Sequence, residues 1–162
     1  MKKIIVSGQL LFIFALFPLS AANVSFLVME TGLRQESPTG QYSILWENGL
    51  MDTFYECGHI VSNAPLMRVY EKCEDGFPSD AERDYKEAKN GGMDFFIIAI
   101  INYSAYRGNN PQPHNIILRL FNTKSEQMIH EQIFSHKISK TAKEEKDNIK
   151  NAAMEFAVHI RR

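Results

Sequence analysis

Seven consecutive apolar residues, Phe95-Phe96-Ile97-Ile98-Ala99-Ile100-Ile101, constrain this chain more than any other feature. The run opens after Gly91-Gly92 and Asp94 and closes at the polar Asn102. A β-rich segment of that length with no polar face reads as a strand covered on both sides, the central strand of a sheet. Val24-Ser25-Phe26-Leu27-Val28-Met29 has the same character and predicts a second covered strand. Other layers must therefore cover a sheet, and the remaining segments have the patterns to do so.

The polar stretch from Thr31 to Gly40, with Pro38, reads as a loop. A helix follows from about Gln41 to Cys57. Trp46, Leu50, Phe54 and Cys57 recur on one face, and Leu45, Met51 and Tyr55 widen the stripe. Gly58 stands where a left-handed cap is wanted. His59-Ile60-Val61-Ser62 is a short β-branched strand, and Pro65 suits the first turn of a short helix reaching about Cys73. Ser79 and Glu82 have capping-box spacing and open a helix through Ala81, Tyr85 and Ala88 that ends at Asn90-Gly91-Gly92. Ser104 to Pro113 is an exposed loop. His114 to Phe121 and Met128 to Phe134 then flank the polar turn from Asn122 to Glu126, a β-hairpin. Thr141 and Glu144 form a second capping box ahead of a helix whose apolar stripe is Ile149, Ala152, Ala153, Phe156 and Ile160. Arg161 and Arg162 sit at its end, where positive charge opposes the helix dipole. The expectation is an α/β fold: one two- or three-layer domain with a mixed sheet, in the order β-α-β-α-α-β-β-β-α.

The first 22 residues do not belong to that pattern. Lys2 and Lys3 precede the apolar run from Leu10 to Phe17, Pro18 ends it, and Ser20-Ala21-Ala22 supplies small residues. This is the make-up of a cleavable secretory signal, residues 1–22, leaving residues 23–162 as the exported domain. The uncharged stretch from Ile4 to Phe17 falls short of the roughly 20 residues a membrane-spanning helix needs. Retention as an uncleaved anchor is the alternative. No cysteine lies near the cut, so a lipid cannot be attached to a new N-terminal Cys.

Composition narrows the function classes. Hydrophobic residues at 44% and charged residues at 23% are globular values, which argues against disorder or coiled coil. Without Lys2 and Lys3, 16 basic residues stand against 19 acidic ones, a formal balance of −3. No basic stripe exists, so nucleic acid is not the expected partner. Cys57 and Cys73 lie within bridging reach in an exported chain, and the sequence leaves open whether they form a disulfide or stay two separate small residues.

No catalytic apparatus is visible. His59, His114, His130, His136 and His159 show no metal-ligand spacing, so neither a metal nor another cofactor is expected. There is no G-x-S-x-G elbow and no thiol-enzyme context. Glu30, just past the first strand, and Asp94, opening the central one, are the carboxylates placed to act as acid or base. Capping a nearby backbone group is the plainer role for either. Tyr103, Tyr106 and Arg107 cluster after the central strand, and Tyr and Arg are enriched at protein interfaces.

Several local phrases resemble those of a bacterial envelope superfamily. The superfamily includes the curli secretion-channel lipoprotein, the N-terminal domain of the Tol translocation protein and the lipoprotein activators of penicillin-binding proteins. Cys57-Gly58-His59-Ile60-Val61 after a helix resembles its helix-to-strand phrase. Gly92-Met93-Asp94 leading into Phe95 is similar to its Gly-Ala-Asp entry to a central strand. Ile116 to Ile129 is similar to its hairpin, without the usual Asp and Gly in the turn. No insertion is long enough to add membrane-spanning hairpins, so a secretion channel is not implied. The resemblance implies a non-catalytic periplasmic domain that binds other envelope proteins and serves envelope assembly or regulation. The alternatives are a small secreted hydrolase using Glu30 or Asp94, and a small-ligand-binding domain.

Overall fold

A computed structural model of the chain describes residues 21–70, 77–103, 111–135 and 141–160. Six strands form one mixed sheet: β1 (Asn23–Thr31), β2 (Ile60–Asn63), β3 (Met67–Val69), β4 (Phe95–Tyr103), β5 (Pro113–Asn122) and β6 (Gln127–Ser135). Three helices, α1 (Gln41–Glu56), α2 (Glu82–Asn90) and α3 (Ala142–Ala157), complete it. The strand order is β2-β1-β4-β5-β6, with β3 pairing β1 beyond the end of β2. β2, β3 and β4 run parallel to β1, whereas β4-β5 and β5-β6 are antiparallel.

The apolar run is the centre of the sheet, and alternation explains why it has no polar face. Phe95, Ile97, Ala99 and Ile101 of β4 point into a core with Trp46, Leu50 and Phe54 of α1 and Ile149, Ala153 and Phe156 of α3. Phe96, Ile98 and Ile100 point the other way, into a second core with Ala81 and Ala88, which Tyr85 of α2 and Phe77 join. β1 divides likewise: Val24, Phe26 and Val28 face α1 and α3, while Leu27 and Met29 face α2. The domain therefore has three layers, helices on both faces of the sheet.

Most termini follow local chemistry. Gly58 has φ +86°, the left-handed cap that stops α1. Thr141 Oγ1 accepts the Glu144 N–H at 3.1 Å and starts α3. Ser79 does not cap in this way: it opens a single 3₁₀ turn with no side-chain cap bond, and α2 begins at Glu82. With β2 and β3 taken as one interrupted edge and that turn counted with α2, the expected element order holds.

Two local expectations are corrected. The segment after Pro65 pairs as strand β3 over Met67–Val69 instead of forming a helix. Its side chains alternate, Met67 and Val69 into the α2 core and Arg68 to the opposite face, where β1 offers a partner. On α1, Leu45 and Tyr55 do not join the core and are 37% and 71% exposed. Apart from Ala21 and Ala22 the expected leader lies outside the described residues, as do Arg161 and Arg162. No helix among the described residues is long and apolar enough to cross a membrane.

Candidate functional site

An α/β sheet places ligands outside the carboxyl ends of its parallel strands, where successive connections leave for opposite faces. Here that point lies between β1, which continues to α1 on one face, and β3, which leads to α2 on the other. Glu30 and Arg68 stand there directly opposite each other in register. The Glu30 side chain is buried at 1% exposure and Arg68 is 15% exposed.

The chain fills the α1 side of this crevice with itself. Arg68 Nε donates to Glu30 Oε1 at 2.8 Å, and Nη2 donates to the same oxygen and to the Pro38 carbonyl at 3.0 Å. Nη1 donates to the carbonyls of Arg34, Gln35 and Ser37, the last at 2.6 Å. Glu30 Oε2 accepts the Gly40 N–H at 3.0 Å. One ion pair thus fastens the whole loop from β1 to α1. Charge-assisted bonds of this kind are about twice as strong as neutral ones, and those not joining the pair itself are spent on loop backbone.

Tyr103 seals the same end. It is the last residue of β4 and 3% exposed, so it belongs to the strand and not to the loop expected after it. Its hydroxyl accepts the Ser43 N–H at 3.0 Å and lies 2.9 Å from Ser43 Oγ. Burial pushes that hydroxyl above the usual tyrosine range, and the Ser43 hydrogen bonds pull it partly back. A side chain at Gly40 would meet Tyr103 Oη at 2.1 Å, so only glycine allows the loop to close there. Tyr103 is a packing residue of this end.

Asp94 occupies the opposite end of the sheet. Its Oδ2 accepts the Asn23 N–H at 3.0 Å and its Oδ1 accepts from Lys124 Nζ at 3.0 Å. Asn23 lies seven residues before Glu30 along β1, about 23 Å at ordinary strand rise. Two carboxylates that far apart cannot act on one glycosidic bond, which needs them within about 5–10 Å. Both do the plainer work, capping backbone.

The other expected residues are scattered. Tyr106, Arg107 and Cys73 lie outside the described residues, and Cys57 is half-buried just past α1. The structure brings together a pair that spacing did not suggest, His130 and His159, whose rings stack with centroids 3.5 Å apart. Among the described residues no group of three His, Cys, Asp or Glu side chains is placed to hold a metal ion.

Two places remain open: a groove of about 540 Å3 on the α2 side of the Glu30–Arg68 end, lined by Met67, Arg68, Tyr70, Asp80 and Arg83, and the β6 side. β6 pairs only with β5 among the described residues and is nine residues long. Met128, Ile129 and Ile133 are 42%, 44% and 59% exposed, because α2 is short and covers the sheet only as far as Phe121 of β5. A bulge sits where Phe121 pairs Met128, and Glu131 pairs with the buried Arg119 at 2.7 Å. Such devices blunt an edge without closing it. Beside β6, a cleft of about 370 Å3 opens toward α3, with Trp46, Phe134 and Glu145 among its walls. The clamp was not expected from sequence, nor was which strand would present a free edge. The edge had a signal, the apolar pairs Met128-Ile129 and Ile133-Phe134 at the two ends of a strand with a polar middle, whereas Arg68 stands 38 residues from its partner with nothing to link them.

No family model matches this chain, and no curated protein matches it in sequence. Solved structures match it in outline. A PelC dodecamer from Paraburkholderia phytofirmans is similar at a TM-score of 0.46 and 10% identity, over 88% of this chain and 89% of that one. TolB from Acinetobacter baumannii scores 0.41 at 10% identity, over 87% of this chain, which spans only 29% of TolB. The LpoB C-terminal domain from Salmonella enterica scores 0.38 at 11% identity, over 73% of this chain and 85% of that one.

Proposed function

We propose that this chain is a non-catalytic exported domain that binds other envelope proteins and serves envelope assembly or regulation. One observation carries the reading. The α1 side of the crevice in which an α/β enzyme would hold a substrate is occupied by the chain's own Arg68–Glu30 clamp and loop. The long edge strand β6, by contrast, keeps backbone groups and apolar side chains available. A free edge recruits an extended partner segment through main-chain hydrogen bonds, and alternate side chains supply specificity. Export rests on the leader, residues 1–22, and Tyr106 and Arg107 stay candidates for partner contact. A Cys57–Cys73 bridge suits the same compartment.

Crosslinking in intact cells, followed by identification of the attached proteins, tests this reading. Envelope proteins recovered with the wild-type chain and lost with Ile133→Lys are the expected result. Recovery of no envelope protein above background would count decisively against it.

A second reading, a small-ligand-binding domain, is favoured by the cleft beside α3. Trp46 is 4% exposed and its Nε1 has no partner among the described residues, so an apolar molecule carrying an acceptor oxygen would complete it. Quenching of the single tryptophan on adding such a molecule would favour this reading over the first.

A further inference from the structure

We propose that the amino end created by leader removal has a built receptor: the Asn23 α-ammonium seats on the Asp94 carboxylate. This rests on the exported reading above. The geometry is already in place in the uncut chain. Asn23 N lies 3.0 Å from Asp94 Oδ2, and the Asp94 N–H returns a 2.8 Å bond to the Asn23 carbonyl. Asp94 is only 9% exposed. Lys124 Nζ sits on the other oxygen, Oδ1, at 3.0 Å, which leaves Oδ2 directed at the strand's first nitrogen.

Cleavage changes what that nitrogen is. Hydrolysis of the Ala22–Asn23 peptide bond by a signal peptidase adds the hydroxyl of water to the Ala22 carbonyl carbon and a hydrogen to Asn23 N. The freed amine takes up a further proton near neutral pH and becomes an ammonium. A neutral amide bond to Asp94 is thereby replaced by a charge-assisted one in a sheltered place. The same step discards three things the uncut chain holds: the Ala22 methyl at 0% exposure, the Ile60 N–H to Ala22 O bond at 2.9 Å, and the Ala22 N–H to His59 Nδ1 bond at 3.3 Å.

The geometry also sets an order. The bond to be cut is flanked by Ala22 O and Asn23 O, both engaged with neighbouring backbone in the finished sheet. A peptidase needs that segment extended and free. Cleavage therefore precedes the docking of β1, and Asp94 captures the new end as the sheet closes.

The test uses the whole gene, expressed in an exporting host, with the protein purified from outside the cytoplasm. Intact mass is expected to show a chain beginning at Asn23. An amine-reactive acylating reagent, which attacks only the neutral amine, is then applied near pH 7 to wild type, Asp94→Asn and Asp94→Glu. Wild type is expected to acylate at Asn23 about tenfold more slowly than Asp94→Asn, the effect of one unit in amine pKa. Asp94→Glu is expected to restore part of the protection, and circular dichroism checks that each variant is folded. Equal rates in wild type and Asp94→Asn would overturn the receptor while leaving export untouched. Exported protein with a different first residue would overturn the receptor alone. A chain found uncut in the cytosol would overturn the exported reading as well.

Discussion

β4 and β6 are both nine residues long and both rich in apolar side chains, yet they end up in opposite situations. β4 has a neighbouring strand on each side and a helical layer on each face, and eight of its nine residues are buried. Among the described residues β6 has one neighbour, a bulge, and no helix over its Ile133 face, and none of its residues is fully buried. The difference teaches that apolar character does not by itself mark core. What decides it is the reach of the covering layers, and α2, nine residues long, runs out before β6. The apolar surface that β4 buries, β6 leaves exposed.

Damage to β4 should show the contrast at its largest. Phe96 is fully buried and packs edge-on against Tyr85 with ring centroids 5.5 Å apart. Phe96→Ala is expected to cost about 3–5 kcal/mol, read as a lower midpoint in urea unfolding. The carboxyl end of β1 should come next. Arg68→Ala leaves the Glu30 charge buried and strips four backbone carbonyls of their donor, an expected loss of about 3 kcal/mol. Limited proteolysis should then cut within 32–39, a loop expected to resist cleavage in the wild type.

These first two expectations separate what was legible in the sequence from what was not. β1, β4 and α3 were legible because each has a single consistent pattern: continuous apolar runs for strands buried on both faces, a 3.6-residue stripe for the helix. The Met67–Val69 segment was not, because a few apolar residues after Pro65 suit either a helix or a strand. Pairing with β1 and the Arg68–Glu30 bond decide it, and both come from residues far away in the chain. Tyr103 was misplaced for the same reason. Its membership of β4 is sealed by a hydroxyl bond to Ser43, 60 residues away. Leu45 and Tyr55 matched the stripe of α1 in sequence, but they stand on its margin, outside the area that the sheet and α3 cover. Glu30 and Asp94 were rightly singled out as strand-end carboxylates, while the parallel pairing that sets them at opposite ends appears only in the fold.

A smaller effect is expected at Tyr103. Tyr103→Phe takes the phenol away from the Ser43 hydroxyl at a buried site, while the Ser43 N–H keeps the Gly40 carbonyl at 3.0 Å. A loss of about 1–2 kcal/mol in the same urea measurement is expected. The smallest effect on stability should be at Ile133. With its side chain 59% exposed, Ile133→Lys is expected to shift stability by no more than about 0.5 kcal/mol. A much larger loss there would mean that β6 is core after all and would dissolve the contrast with β4.

The claim that β6 is the contact surface is tested most directly by photocrosslinking from single positions in intact exporting cells. A photoreactive residue is placed in turn at Ile129 and Ile133 on β6, and at Tyr55 on α1, which is equally accessible but lies on the opposite layer. Adducts with envelope proteins from both β6 positions, and none from Tyr55, are the expected result. Adducts from Tyr55 with silence from β6 would contradict the account.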